Sequence, residues 1–305
     1  MDIAGLANQL FVLFLIILLG YGLRRLGLLP GNTNQVLADL VVNVANPCRV
    51  LASVMDGQRT LTNSQVLLLT LVAVGMYGVL IALAHFVPQL LRVPREQAGT
   101  YRFMTVFSNI SFIGFPIVAA LFGDEAVFLA AIFVLVYQLF CYTYGIAQIG
   151  GAGCRRPSWR MLCSPMVLAS LAAYVLYLCR IPVPGPVVQV ADTVGEITSP
   201  AAMLSIGCAM AAVPLRRIFG NGKIYWFSAC KLLLLPVAAW ALCFWWMPNP
   251  LMLGVTVVVC AMPVATNATL LSTKYGGDVD LATAGVFVTT PLSLVTLPAV
   301  LALLF

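Results

Sequence analysis

Long apolar runs cover nearly the whole chain and are separated by short polar segments. Ten such runs lie at 6–26, 35–55, 64–91, 101–122, 126–148, 163–180, 188–212, 224–247, 251–274 and 281–304. An α-helix of about 20 apolar residues crosses a bilayer core of about 30 Å. Because the runs are continuous and do not alternate in polarity, they favour helices over the strands of a membrane barrel. The pattern predicts an all-α membrane protein with ten transmembrane helices.

Composition and charge fit this prediction and suggest a topology. Of the 305 residues, 62% are hydrophobic and 9% are charged, whereas globular domains contain about 25% charged residues. Twelve Lys and Arg residues fall in loops after odd-numbered helices, and only Arg59 and Arg180 in loops after even-numbered ones. The positive-inside rule then places both termini on the non-cytoplasmic side of the cell inner (plasma) membrane. Topology explains the net charge of +6, which gives no reason to expect a nucleic-acid partner.

The two halves of the chain resemble each other in one register. The matching pairs are offset by 153 or 154 residues and include Asp39 with Asp192, Pro47 with Pro200, Leu51 with Leu204, and Asp124 with Asp278. Each copy would contain five helices, an odd number, so the second copy must enter the membrane in the opposite direction. Inverted repeats of this kind are common in secondary transporters. We predict a first repeat at 1–149, a cytoplasmic linker at 150–160 and a second, inverted repeat at 161–305.

The fourth and ninth runs carry polar residues and prolines near their centres. These residues are Ser108, Asn109, Ser111, Gly114 and Pro116 in one run, and Pro263, Thr266 and Asn267 in the other. Proline removes a backbone donor and clashes with the carbonyl four residues earlier, which predicts two broken helices. Their second segments should begin near Pro116 and Pro263. Unpaired backbone at this depth is tolerated only inside protein or beside a water-filled cavity.

Such breaks suit the binding of an anion. The free N–H groups and positive dipole ends of the two second segments would face the midplane, where they favour a carboxylate. Asn109 and Asn267 can add side-chain donors, and their carbonyl groups could instead coordinate a cation. Prolines and hydroxyl residues also kink ordinary membrane helices without any such role, and this alternative stays open.

Arg49, Glu196 and Lys231 are charged residues that lie well inside predicted helices, away from the first turn. A charged side chain at such depth costs about 2.5 to 3.5 kcal/mol and is usually paired, hydrated or functional. We expect Glu196 to be either a proton or sodium coupling site or a partner of Arg49 or Lys231. Lys231 is close enough to the cytoplasmic end of its helix to snorkel there, and its alternatives are a structural pair and contact with the ligand. The Gly-Asp pair at 123–124 is predicted to be a simple helix connection.

Other candidate chemistry is sparse. The nine cysteines are scattered without a C-x-x-C pair, which is typical of packing residues. His85 is the single histidine, so we expect no histidine metal cluster and no catalytic site. We therefore do not expect an enzyme. The chain contains no G-x-x-x-x-G-K-[ST] motif, so primary pumping would require another subunit.

Five segments together resemble the auxin efflux carrier family, including its bacterial, malonate transporter-like members. They are SNISFIGFPIVAALFGDEA, SPMVLASLAAYVLY, ITSPAAMLSIGCAMA, KLLLLPVAAW and AMPVATNATLLSTKYGGDVDLATAGVFVTTPLSLVTLP. The resemblance covers nearly the whole chain and implies two inverted five-helix repeats whose broken fourth and ninth helices cross. It also implies that Asn109 contacts a substrate carboxylate. Ser164 with Pro165 stands where plant members have Asn-Pro, so the resemblance implies that Ser164 is a further substrate-binding residue. The serine and the absence of the long cytoplasmic loop of plant members argue against auxin itself as the substrate.

Together these features favour a secondary transporter that moves a small organic anion, a carboxylate or dicarboxylate, by alternating access. One alternative is a sodium-coupled symporter of a larger amphipathic organic anion, as in the related bile acid–sodium symporter family. Another is a membrane receptor that does not transport. We expect no cofactor beyond sodium or a proton as coupling ion. The expected partners are the anion and membrane lipid, with a homodimer as a further option.

Overall fold

The computed structural model describes residues 3–55, 61–150, 164–212, 222–247 and 249–305. These residues are overwhelmingly helical. The helices of the first half are α1 (Ile3–Arg25), α2 (Thr33–Leu40), α3 (Asn46–Met55), α4 (Asn63–Leu90), α5 (Arg95–Val106), α6 (Phe115–Phe122), α7 (Ala126–Phe140) and α8 (Ile146–Gly150). Those of the second half are α9 (Pro165–Cys179), α10 (Gly185–Gly195), α11 (Thr198–Ala212), α12 (Gly222–Ala229), α13 (Leu235–Cys243), α14 (Pro250–Ala261), α15 (Asn267–Tyr275) and α16 (Val279–Leu304).

Short π-helical turns precede or join several of these helices. They lie at Val41–Ala45, Ile110–Gly114, Cys141–Gly145 and Cys230–Leu234. Pro47, Pro116 and Pro236 each follow such a turn within two residues. A proline clashes with the carbonyl four residues earlier, and in all three cases that carbonyl belongs to the π turn. The wider turn accommodates the proline and lets the helix continue.

Several helices have the length and composition of membrane spans. Within the described ranges, six helices are long and apolar enough to cross a bilayer, namely Thr33–Met55, Asn63–Leu90, Ala126–Gly150, Gly185–Ala211, Gly222–Cys243 and Val279–Leu304. Shorter apolar helices lie at Ile110–Phe122, Pro165–Cys179 and Pro250–Ala261. Large apolar side chains such as Leu71 and Trp245 are 70% and 85% exposed, which suits lipid as the surrounding medium. The all-α prediction is confirmed for these residues, while the count of ten spans and the inverted repeat stay predictions.

The fourth and ninth apolar runs are both broken. In the fourth run, α6 has Pro116 in its first turn, but the π turn from Ile110 precedes it, so the break lies at 107–109. In the ninth run, the prediction that the second segment begins near Pro263 is wrong, because α15 begins at Asn267. Met262 is extended (φ −64°, ψ 145°), since the residue before a proline is disfavoured in the α region.

The chain forms two compact units that do not follow its linear order. Unit 1 comprises Met1–Leu69, Ile110–Leu135 and Cys163–Pro214, and unit 2 comprises Thr70–Asn109, Val136–Leu162 and Leu215–Phe305. Each unit therefore combines segments of both predicted repeats. The repeat boundaries stay predictions, and all of the proposed linker except Gly150 lies outside the described residues.

Unit 1 is built around the close packing of α1 against α11. A Cβ atom added at Gly20 would lie 2.5 Å from the Leu204 carbonyl oxygen, and one added at Gly207 would collide with the Ile17 carbonyl oxygen. Glycine at both positions lets the two backbones approach, as is common between membrane helices. The start of α4 is held in the same unit by Tyr177, whose hydroxyl donates to the Leu61 carbonyl oxygen at 2.7 Å and accepts from the Leu61 N–H at 3.1 Å.

Unit 2 has an aromatic core at the end of α5. Phe103 and Phe107 are fully buried and their ring centroids are 4.6 Å apart. Phe107 also meets Tyr137 edge to face at 5.2 Å, a geometry that aromatic pairs prefer. This cluster lies where the fourth run leaves its first helix.

Candidate functional site at the crossing of two broken helices

The two broken runs contact each other at their breaks. Ser108 and Val264 form an isolated antiparallel bridge. The Asn109 N–H donates to the Pro263 carbonyl oxygen at 2.8 Å, and the Ala265 N–H donates to the Phe107 carbonyl oxygen at 3.1 Å. Each break thus satisfies backbone groups of the other, which is what buried non-helical backbone requires. We call residues 107–109 and 262–266 the crossing.

A buried hydroxyl supports the crossing from α16. The Val264 N–H donates to Thr289 Oγ1 at 3.0 Å, and the same hydroxyl donates to the Gly285 carbonyl oxygen at 2.7 Å. Thr289 is fully buried. Its single hydroxyl therefore serves both the extended segment and its own helix. The sequence alone gives this threonine no distinction from an ordinary packing residue.

Lys231 places a cation at the crossing. The residue is 1% exposed, and its ammonium group donates to the Thr105 carbonyl oxygen at 2.7 Å and to Ser108 Oγ at 2.8 Å. The snorkelling alternative for Lys231 is wrong, because its side chain turns inward to the last turn of α5, where helix carbonyls attract a cation. Among the described residues, no carboxylate lies within ion-pair distance of this ammonium group.

The structure brings together five of the residues predicted for the site. Ser108, Asn109 and Pro263 lie in the crossing and are buried, and Thr266 and Asn267 are half-buried where α15 begins. Asn267 Nδ2 donates to the Tyr137 hydroxyl at 3.5 Å, a long contact. All five belong to unit 2. Their contact with a substrate stays a prediction.

The other four predicted site residues belong to unit 1; they are Ser111, Gly114, Pro116 and Ser164. Asn46 Nδ2 donates to the Ser111 carbonyl oxygen at 3.3 Å. Gly114 is buried, and Pro116 lines a cavity of its own unit. Ser164 caps α9 by accepting a hydrogen bond from the Val167 N–H at 3.4 Å, a role that serine commonly takes at the start of a helix.

Arg49 pairs differently from the prediction. Its guanidinium forms a hydrogen-bonded ion pair with Asp124 and lies 3.9 Å from Asp192 Oδ1. The alternative that Glu196 pairs with Arg49 or Lys231 is wrong: among the described residues Glu196 forms no such ion pair and is exposed where α10 ends. A coupling role for Glu196 stays a prediction. Asp124 was missed as a partner because a connection residue 75 positions away has no local signal that links it to Arg49.

Known proteins resemble this chain along almost its whole length. A family model described as "Membrane transport protein" matches residues 6–158 and 154–301. An "Uncharacterized transporter" of Methanothermobacter thermautotrophicus is 26% identical over 297 residues, which cover 96% of this chain and 97% of that protein. A "Putative malonate transporter" of Rhizobium meliloti is 25% identical over 315 residues, 99% of this chain and 96% of that protein. An "Uncharacterized transporter" of Methanocaldococcus jannaschii is 21% identical over 306 residues, 95% and 96% of the two chains.

Proposed function

Because the chain belongs to the membrane transport protein family, the auxin efflux carrier family of the sequence resemblance, we propose that it is a secondary transporter of a small organic anion. The family and its relatives make it a multi-pass membrane transporter and not an enzyme. The anion we propose is a carboxylate or dicarboxylate. The relative named for malonate supports a substrate of this size and charge.

One observation carries the choice of an anion, namely the Lys231 ammonium group buried at the crossing with two neutral acceptors. Removing an ammonium ion from water costs several kcal/mol, and a neutral acceptor returns only part of this. A carboxylate that reaches the crossing would supply the missing opposite charge. Asn109, buried beside Ser108, is the side chain we propose for orienting that carboxylate.

We propose alternating access as the transport mechanism. Unit 1 and unit 2 support this mechanism, because each draws on both halves of the chain. Inverted-repeat transporters move one bundle of helices as a rigid body. The same proposal includes the predicted inverted repeats, the ten spans, the plasma-membrane location and the outward-facing termini. Sodium or a proton is the proposed coupling ion.

The experiment is uptake of radiolabelled malonate and related carboxylates into proteoliposomes. Asn109→Ala and Lys231→Met should each lower the initial rate about tenfold or more, since a hydrogen bond to a charged group is worth about 1.5 to 3 kcal/mol. The matched controls are Asn63→Ala and Lys274→Met, which change the same residue types at exposed positions. Both controls should stay within about twofold of the wild type.

Several results would count against the proposal. Equal flux in wild type and Asn109→Ala would remove Asn109 from the mechanism, and equal flux in Lys231→Met would remove the charge argument. Stable binding of carboxylates without flux would favour the receptor alternative. Imposing a sodium or a proton gradient in the same vesicles identifies the coupling ion, and accumulation with neither gradient would contradict coupling to these ions.

A further inference from the structure

Unit 1 contains a cavity of about 360 Å³ that the crossing does not use. Its wall combines apolar and polar side chains, among them Val12, Ala120, Asn8, Ser199, Arg49 and Asp124. All of these residues belong to unit 1. Small-molecule pockets are typically about 300 to 1,000 Å³ and mostly apolar, with a few placed polar groups. This cavity therefore has the size and composition of a site for a small amphipathic molecule.

The Arg49 guanidinium is the cationic group of the cavity wall. Its side chain is 13% exposed, whereas that of its partner Asp124 is 62% exposed. The hydrogen bond to Asp124 uses Nη2, and Asp192 Oδ1 lies 3.9 Å from Nη1, beyond hydrogen-bond distance. A guanidinium has five N–H donors in a fork that matches a carboxylate. Among the described residues, Arg49 therefore keeps donors for a second carboxylate.

The backbone at Arg49 is fixed by close helix packing, whereas the Asp124 side chain extends from a turn. A Cβ atom added at Gly195 of α10 would lie 2.9 Å from Arg49 Cα, so the two backbones are in close contact. Asp192 precedes Gly195 by three residues and shares its helix face. Asp124 instead follows Gly123, a glycine with φ +87° that ends α6, and lies in the short connection to α7. The Asp124 carbonyl oxygen accepts from the Val127 N–H at 3.0 Å, so the carboxylate leaves the guanidinium by rotation of the side chain alone, without breaking a helix.

We propose that the cavity binds a small organic carboxylate, which replaces Asp124 on the Arg49 guanidinium while its apolar part contacts residues such as Ala120. The Asp124 carboxylate is 62% exposed, and water weakens an ion pair at such a group, so Asp124 is a weak competitor that a ligand can displace. The proposal does not rest on the transport function at the crossing. It makes Asp124 a built-in competitor that sets the affinity of the cavity.

The test is modification of arginine by phenylglyoxal in the purified full chain, with the rate at each arginine followed by peptide mass spectrometry. Malonate should slow modification of Arg49, whereas malonamide, its uncharged analogue, should not. Arg95, an exposed arginine in the first turn of α5, reports any general effect in the same molecules. In Asp124→Asn, half-protection of Arg49 should need about two- to fivefold less malonate, the effect of removing one ion pair whose carboxylate is solvent-exposed.

The control for the loss of a carboxylate is Asp280→Asn at an exposed position of α16, which should leave protection unchanged. Protection should also persist in Asn109→Ala, so that failure of transport and failure of the cavity site are separate results. The proposal is overturned if malonate does not protect Arg49, if malonamide protects it equally, or if Asn109→Ala abolishes protection. A higher malonate requirement in Asp124→Asn would also overturn it, because Asp124 would then be part of the binding site and not its competitor.

Discussion

Replacing Ser108 by alanine removes one of the two protein acceptors described for the buried Lys231 ammonium group. The remaining acceptor is the Thr105 carbonyl oxygen at 2.7 Å. A hydrogen bond to a charged group contributes about 1.5 to 3 kcal/mol, and the 4% exposure of Ser108 leaves little access for water to replace the hydroxyl. Ser108→Ala should therefore lower the free energy of unfolding by about 2 kcal/mol, roughly a thirtyfold change in the folded-to-unfolded ratio.

Most of this expected loss of stability depends on the charge of the Lys231 ammonium group. A second variant tests that dependence. Lys231→Met removes the ammonium group, and replacing both polar partners by apolar groups of similar shape can be nearly neutral. In the Lys231→Met background, Ser108→Ala should change the free energy of unfolding by about 0.5 kcal/mol or less. The cycle should thus give a coupling energy of about 1.5 kcal/mol or more between the two side chains.

Unfolding is measured by titrating SDS into detergent micelles and following fluorescence of the five tryptophans. Ser272→Ala is the matched control, because Ser272 is fully buried and its hydroxyl has no hydrogen-bond partner among the described residues. This control should be neutral or slightly stabilising. Additive effects of the Ser108 and Lys231 substitutions, within about 0.3 kcal/mol, would refute the idea that these two groups interact.

Two further predictions use the same titration. Gly207→Ala should destabilise the protein by about 1 to 3 kcal/mol, because the added methyl group collides with α1. Gly75→Ala should not destabilise it, because a Cβ atom at Gly75 has no neighbouring atom within 4 Å. Equal losses of stability in the two variants would contradict the close packing of α1 against α11. Ser164→Asn should keep stability within about 0.5 kcal/mol, because serine and asparagine cap helices equally well, whereas Ser164→Ala should lose about 0.5 to 1 kcal/mol. A larger loss for asparagine than for alanine would contradict the capping role.

The helices were the most predictable part of the structure. The runs at 64–91 and 281–304 correspond to Asn63–Leu90 and Val279–Leu304 within two residues. Run length is a property of neighbouring residues, so hydropathy alone locates such helices. The existence of both breaks also followed from local chemistry, since prolines and polar side chains interrupt an apolar run. These features need no knowledge of the rest of the chain.

The details of the site depend on contacts between distant parts of the sequence. The break near Pro263 extends to Thr266 because the segment pairs with Phe107 and Asn109. Lys231 turns inward because it meets acceptors 126 and 123 residues earlier in the chain, and its distance from the helix end carries no information about them. The same limit explains why the partner of Arg49 was missed.

The interleaving of the two units has a consequence for biosynthesis. Residues up to 214 contribute to unit 1, and unit 2 extends from residue 70 to the final residue, 305. Single helices can insert into the bilayer as they leave the ribosome, but neither unit can finish packing until much of the second half has been translated. A fragment that stops after the first five predicted helices would lack essential pieces of both units. Splitting the gene at the repeat boundary should therefore yield halves that depend on co-expression to become stable.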